Sequence, residues 1–429
     1  MTTAIIGAGL AGVFAARRLR EAGEDVYVLE ATEYLGGRTR GDREALKHGA
    51  IGDLGASWLD RGQDRLLSFC LENDIKLGAQ VAMYPKGPGP RYSGASILLG
   101  NVVVGGAPLA TDARQRLAAQ VQDALDSQPP GLAETVLAWA RRVGLPPDAF
   151  DAYTMQTGFN PVQRPGMTSS WHVHPGDIGR ICWLLDGSTD VLAHRAAEGL
   201  DISYREPVRL VSRGPGGYRL LTDRGEHRAD DVIITSSVNA TRRIGFDPVL
   251  PSWKLEALLQ SPMTQGGKVI GQYEDGRRII DAAGPSTLTD TDAAMFWYKP
   301  TGQDTVTVLG CMPDSGNGLL DDEAAALTLL DSQVEAAAGF TPKRIAGLVH
   351  NWTSQEFFGG VVSSQTGGAA RREVMAASVG GLHFAGEATG TRWATAMEGA
   401  VRSGERAADT VLGKRRALRG VVAPAVALG

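Results

Sequence analysis

The 429-residue chain has no apolar stretch approaching the roughly 20 residues that a membrane-spanning helix needs, so no membrane span is expected. Cysteine is scarce: Cys70, Cys182 and Cys311 lie far apart and show no metal-ligand spacing. That scarcity offers neither a disulfide framework nor a zinc site, fits a cytoplasmic, reducing setting, and leads us to expect no metal. An excess of positive charge is also missing, since 43 Lys and Arg stand against 48 Asp and Glu for a net charge of -5. A protein that grips nucleic acid by neutralising phosphates needs the opposite balance. The start, MTTAIIGAGLAG, has no basic region ahead of its apolar run, so no signal peptide is expected. Neither an internal repeat nor a Ser/His/Asp or Cys/His nucleophile arrangement is visible. The basic and then apolar end, GKRRALRGVVAPAVALG from Gly413, reads as a frayed tail.

What the chain does have is glycine, 55 residues of it, with a hydrophobic content of 43% that suffices for the cores of two or three domains. Thr3 to Ile6 form a short apolar strand candidate, and Gly7, Gly9 and Gly12 then give GxGxxG at the turn into a helix running from Leu10 to about Ala22. With so many glycines the bare pattern would arise by chance roughly once. Its context is what counts. DVYVLE reads as a second strand that ends in an acid, Glu30. A dinucleotide site needs each part: glycine for the tight turn and the close approach of pyrophosphate, helix N-terminal amides for its charge, and an acid for the ribose hydroxyls.

A nicotinamide site has no use for the second glycine pair that follows. Gly36, Gly37 and Arg38, and then Gly55, Ala56, Ser57 and Trp58 in DLGASWLDRG, look like loops that carry the pyrophosphate of FAD and shield its ring. On these residues the chain resembles the flavin-containing amine oxidase family, which includes monoamine oxidases and bacterial hydroxynicotine oxidases. The resemblance implies an α/β fold: a Rossmann-like FAD-binding domain assembled from discontinuous segments, with an α+β substrate domain. We place the FAD domain at residues 1–75, 186–250 and 346–412, the substrate domain at 76–185 and 251–345, and the tail at 413–429.

The last piece of the FAD domain is then FAGEATGTRWATAMEGAV near the C-terminus. LHFAGEA reads as a strand, Leu382 to Ala385, followed by Gly386 and Glu387, which the resemblance sets near pyrophosphate and ribityl or ribose hydroxyls. A helix beginning near Ala396 and Met397 would direct its positive end at the flavin pyrimidine and favour the reduced ring by on the order of 1 kcal/mol. Glu398 fits helix N-terminal hydrogen bonding. A middle piece supplies Gly187 and Ser188, where relatives have a glycine pair, and Val208, which matches a backbone contact to adenine. Near Val238 relatives usually carry a proline.

In SPMTQGGKVIGQYE, Lys268 follows Pro262 at the spacing at which the family carries a lysine that holds a water against flavin N5. Lys268 is therefore the catalytic candidate, and burial would let such an amine exchange protons. The two aromatic rings that frame the amine in many relatives are replaced by Val362 and Ala396. Two lost rings imply a bulky, cyclic or secondary amine, oxidised to an imine while O2 becomes H2O2. Val361 stands where some relatives link FAD through cysteine, so noncovalent FAD is expected. Trp58 occupies a place where amino-acid-oxidising relatives often have arginine, which argues against an α-amino-acid substrate. Trp352 and Trp393 match aromatic positions near the flavin, and His172, His174 and Trp183 are further pocket candidates. The partners expected are the amine, O2 and a second copy in a homodimer. A carbon–carbon desaturase, or a flavin protein with a decayed amine site, are the competing readings.

Overall fold

The computed structural model describes residues 1–81, 101–131, 134–157, 182–185, 187–302, 304–364 and 368–422. The chain divides into two compact units, each threaded by separated segments. One contains residues 1–37, 193–259 and 372–429, and the other 38–192 and 260–371.

The first unit is built on a parallel sheet with the strand order Ile202–Ser203, Asp25–Leu29, Thr2–Ile6, Asp231–Ile234 and Leu382–Phe384. Its central strands are apolar runs, TTAII and DVII, with hardly an exposed residue, as expected where a parallel sheet is covered on both faces. GxGxxG turns directly into the helix Leu10–Glu21, whose buried face includes Val13, Phe14 and Leu19. The second glycine-rich segment leads into the helix Met397–Val422. The two helices touch so closely at Ala11 and Gly404 that a Cβ on Gly404 would lie 2.1 Å from the Ala11 carbonyl oxygen. A small antiparallel ribbon, Val208–Gly214, Gly217–Thr222 and Glu226–Ala229, completes the unit, joined in parallel by Gly245–Asp247.

The frayed tail expected from residue 413 is helical as far as Val422. The cause is Arg415, which is buried and donates to Glu24, to the Met1 carbonyl and to Thr3, with Asp231 3.4 Å away. These partners lie at the opposite end of the sequence, where local reading has no access to them.

The second unit centres on a seven-stranded sheet ordered Arg344–Asn351, Gly266–Tyr273, Thr305–Pro313, Met295–Thr301, Ser286–Thr289, Asn101–Val104 and Ala107–Pro108. All neighbours run antiparallel except Ser286–Thr289 beside Asn101–Val104. Alternation decides which residue faces which core. Val269, Val308 and Phe296 pack under the helix Glu323–Ala338, while Ile270, Leu309, Trp297 and Trp352 pack on the other face with Leu54 and Leu184. A three-stranded sheet has Cys182–Leu185 between Trp58–Asp60 and Leu77–Val81. Helices Thr111–Ser127, Val136–Val143 and Pro147–Thr157 pack around Val121, Trp139 and Tyr153.

Candidate active site

In the first unit, the glycines and acids singled out in the sequence gather at the carboxyl ends of the parallel strands, where open α/β sheets bind ligands. Gly7 follows Ile6 with φ +104°, in the left-handed region that favours glycine. A Cβ on Gly12 would sit 1.9 Å from the Gly7 oxygen, so only glycine lets the helix start this close to the strand. At Gly9 the nearest atom to such a Cβ is the Gly36 oxygen at 3.9 Å, which leaves the approach to the helix open. Gly9 caps that helix without a side chain, and the first turn holds no acid. Uncapped amides, an open glycine and a first turn without an acid suit a pyrophosphate. Glu30 follows the second strand, buried, and accepts from the amide of Ala8 at 2.6 Å and from the amide and hydroxyl of Thr32 at 2.8 and 2.7 Å. Its carboxylate therefore also braces the glycine turn.

Across the same sheet, Gly386 and Glu387 follow the strand Leu382–Phe384, and Glu387 is buried. The loop from there to Met397 contains two non-glycine residues in the left-handed region, Trp393 with φ +53° and Thr395 with φ +66°. A buried tryptophan in that conformation is a genuine outlier, of the kind that packing must enforce and that clusters at functional sites. Ala396 bonds back to the Trp393 oxygen at 3.1 Å, and the helix starts at Met397. Glu398 is fully buried in its first turn and accepts from Arg402. Val208 is buried at the start of its ribbon strand.

In the second unit, Lys268 lies on the strand Gly266–Tyr273, in register with Cys311 on one side and His350 on the other. The side chain is 6% exposed and donates to the Ser57 hydroxyl at 3.0 Å. Its ammonium lies 5.5 Å from the centre of the Trp58 ring and 5.7 Å from that of Trp297, close enough for cation–π attraction to both. The two indoles pack against each other, with centroids 4.2 Å apart. Gly55 allows this loop to close: a Cβ there would lie 1.7 Å from the Arg38 oxygen, which also accepts from the Ala56 amide. Arg38 donates to the Val361 carbonyl at 2.8 Å, and the Val362 carbonyl accepts from the Thr264 amide at 2.8 Å while its own amide donates to the Thr264 hydroxyl at 3.2 Å. Gly37 is the last residue of the first unit and Arg38 the first of the second.

Trp352 is 1% exposed, donates to the Leu54 carbonyl at 2.7 Å, and has the rings of His350 and Phe358 against it. Its body belongs to the core on that sheet face. Burial beside Arg40 pushes His350 down to about 4, with Asp42 opposing, so its imidazole is neutral near pH 7. Trp183 is half-buried on the middle strand of the three-stranded sheet, paired with Leu59 and Gln80. His172 and His174 lie outside the described residues. Among the described residues no group of three or more His, Cys, Asp or Glu could hold a metal ion.

Sequence reasoning passed over Asp53. It is 1% exposed and accepts from the Ser188 hydroxyl at 2.7 Å and the Thr189 amide at 3.2 Å, with the Lys299 ammonium 3.9 Å away. Burial raises its pKa, against the pull of Lys299, these two hydrogen bonds and Lys268. Ser188, where relatives carry a second glycine, thus has a partner of its own. The only sequence signal was an acid at the head of the glycine-containing stretch DLGASW, and nothing local announced its partners.

A parallel sheet with a glycine turn, an uncapped helix start and an acid at its carboxyl edge defines a dinucleotide-binding oxidoreductase. Residues 10–412 match the family of flavin containing amine oxidoreductases, and the chain belongs to that family. It is a flavin-dependent amine oxidase whose cofactor is FAD. Position 361 is a valine, which has no atom to link a flavin covalently. Among curated relatives, an L-amino acid dehydrogenase of Synechocystis is 25% identical, covering 95% of this chain and 94% of the relative. A flavin-containing amine oxidase A of Equus caballus is 25% identical, with 95% and 84% covered. Polyamine oxidase 2 of Arabidopsis thaliana is 26% identical, with 94% and 86% covered. Among solved structures, a cyclohexylamine oxidase from Brevibacterium oxydans superposes with a TM-score of 0.75 at 20% identity, over 97% of this chain and 99% of that one. A putrescine oxidase bound to putrescine gives 0.76 at 20% identity, over 96% and 99%. These likenesses confirm the fold. No described helix is long and apolar enough to cross a membrane.

Proposed function

We propose that the enzyme oxidises the carbon–nitrogen bond of a bulky, cyclic or secondary amine to an imine and passes the electrons to O2, giving H2O2. The observation that carries this reading is the buried ammonium of Lys268, held by Ser57 and flanked by Trp58 and Trp297. FAD, when bound, supplies the acceptor for the electron pair leaving the carbon next to nitrogen. The chain supplies the rest. Gly7, Gly9, Gly12 and Glu30 hold the adenine half, with Val208 as an adenine contact. Gly37, Arg38, Gly55, Ala56, Ser57, Trp58, Trp352, Gly386, Glu387, Ala396 and Met397 hold the pyrophosphate and the ring. Lys268 presents its amine to the reacting ring in this reading, and its indole neighbours Trp58 and Trp297 pack beside it.

This choice of substrate class follows from the residue types at 362 and 396, a valine and an alanine where many relatives carry aromatic rings, with Trp393, Trp183, His172 and His174 as further substrate-pocket candidates by sequence. Small side chains at these positions would select an amine by volume and shape. The cyclohexylamine oxidase among the structural neighbours is named for a cyclic amine, which is compatible with this choice.

The test is a panel of bulky cyclic and secondary amines beside small primary amines, scored by anaerobic bleaching of the flavin absorbance and by peroxide in air. Bleaching confined to the bulky amines supports the proposal. Bleaching only by a nonbasic hydrocarbon-like compound would instead identify a carbon–carbon desaturase. In the Lys268→Met variant we expect reoxidation to slow by at least tenfold while amine binding changes little. Unchanged reoxidation in stopped flow would remove Lys268 from the chemistry.

A further inference from the structure

Thr235 directly follows the strand Asp231–Ile234 in the middle of the parallel sheet. Its hydroxyl donates across to the carbonyls of Ile6 and Gly7, at 2.8 and 3.0 Å. The Ile6 oxygen has a second donor in the Thr235 amide at 2.9 Å, so what the hydroxyl adds falls on Gly7. Gly7, at φ +104° and without a side chain, leaves the next peptide free to turn. That peptide is planar, with its oxygen and its N–H on opposite edges, so fixing one end fixes the other. Here both ends are held: the Gly7 oxygen by Thr235, and the Ala8 amide by the Glu30 carboxylate at 2.6 Å. The oxygen is thereby turned inward, toward Gly12, where a Cβ would stand 1.9 Å from it. A peptide turned the other way would set this oxygen against the Glu30 carboxylate, and like partial charges repel. Thr235 also lies beside the second glycine turn, since its carbonyl oxygen would be 3.5 Å from a Cβ on Gly386.

We propose that Thr235 is a positioning residue for FAD: its hydroxyl locks the Gly7–Ala8 peptide so that the Gly7 oxygen stays turned away from the cofactor phosphates and the Glu30 carboxylate stays in place for the ribose. The proposal rests on the assignment of the adenine half of FAD to this turn. It gives the task to the hydroxyl and not to the bulk of the side chain. Valine fills nearly the same space as threonine but has no proton to donate, whereas serine keeps the proton and drops the methyl. The next two hydroxyls serve the short helix that follows, Val238–Thr241: Ser236 bonds to the Thr241 hydroxyl at 2.9 Å, and Ser237 accepts from the Ala240 amide at 3.1 Å. Thr235 is the member of this hydroxyl run that reaches the glycine turn.

The experiment dilutes the FAD-bound enzyme and follows the flavin fluorescence that returns as FAD leaves, for the wild type, Thr235→Val and Thr235→Ser. Adenosine diphosphate, added as a competitor, probes the adenine half alone. In Thr235→Val we expect the dissociation constants of FAD and of adenosine diphosphate to rise together by about tenfold, the effect of one lost hydrogen bond. In Thr235→Ser both should return to within about twofold of the wild type. The melting temperature of the flavin-free protein should fall by at most about 2 °C in either variant. Unchanged constants, whatever the melting temperature, leave the hydroxyl a structural group and overturn the proposal. Weaker FAD binding with unchanged binding of adenosine diphosphate, or no rescue by serine, overturns it as well. Should Thr235→Val fail to fold, hydrogen exchange at the Ala8 amide of the wild type decides: a locked peptide exchanges slowly before FAD is added, and fast exchange there overturns the proposal. Gly9→Ala separates the two levels of the argument. If it keeps its full flavin, the assignment of the turn itself fails; if it loses flavin while Thr235→Val keeps it, the fault lies in the role given to the hydroxyl.

Discussion

Gly9 and Gly12 are three residues apart in one motif, yet they answer to different constraints, and substitution separates them. A methyl on Gly12 collides with the Gly7 oxygen at 1.9 Å and crowds the Thr235 hydroxyl at 3.0 Å, so Gly12→Ala must push the helix start away from the strand. A methyl on Gly9 has nothing nearer than 3.9 Å within the protein. We therefore expect Gly12→Ala to lower the melting temperature and the flavin content together, at a cost of about 1–3 kcal/mol. Gly9→Ala should leave the melting temperature of the flavin-free protein unchanged and lower only the flavin-to-protein absorbance ratio. If Gly9→Ala retains full flavin, the open approach above it is not where the cofactor phosphates lie. At this scale the sequence was informative wherever chemistry and backbone geometry coincide, as at Gly7, Gly12 and Glu30. It was silent on Asp53, because a buried carboxylate is defined by partners that only the fold assembles. Trp352 was read as a flavin neighbour from its position, whereas its contacts also make it a core residue bonded to Leu54.

Among the elements, the helices Leu10–Glu21 and Met397–Val422 meet through small residues, and this contact ties the two ends of the chain to one sheet. Backbones approach this closely only where one side has no side chain at the crossing and the other a small one. Gly404→Ala would place its methyl 2.1 Å from the Ala11 oxygen and 3.1 Å from the Ala11 Cα, neither of which can swing aside. The expected cost is about 1–3 kcal/mol, seen as a lower urea midpoint with an unchanged slope. A midpoint equal to the wild type's would mean that the helices do not cross at this glycine. The existence of both helices was legible from periodicity and from the glycine turns that precede them. Their contact was not, nor was the length of the second helix. The segment after Leu412 is basic and reads locally as solvent-exposed, but Arg415 is held inside by Glu24, Thr3 and the first carbonyl of the chain. The order of the seven-stranded sheet was hidden for the same reason, since its pairings join residues 101–108 to residues 286–289.

At the scale of the whole molecule, acid should weaken the two units in separate pH windows. In the second unit, burial beside Arg40 lowers His350 from its ordinary 6.5 to about 4. The unfolded chain therefore takes up a proton before the folded one does. The stabilisation this represents is complete above pH 6.5, is lost as the pH falls toward 4, and is constant below that. In the first unit, burial raises Asp231, but the His383 imidazole 3.6 Å away and a hydrogen bond from Lys414 outweigh it and hold the carboxyl at about 2, below the ordinary 3.8. That contribution, on the order of 2 kcal/mol, is intact above pH 3.8 and disappears only as the pH approaches 2. Hydrogen exchange across an acid series should accordingly show the strand Arg344–Asn351 and its neighbour Gly266–Tyr273 losing protection first, between about pH 6.5 and 4. The parallel sheet around Asp231 should lose protection only below about pH 4. His350→Gln, neutral at every pH, should remove the upper step and leave the lower one in place. If the wild type loses protection in both sheets at one pH, or if His350→Gln keeps the upper step, then the buried imidazole is not what makes the second unit acid-sensitive.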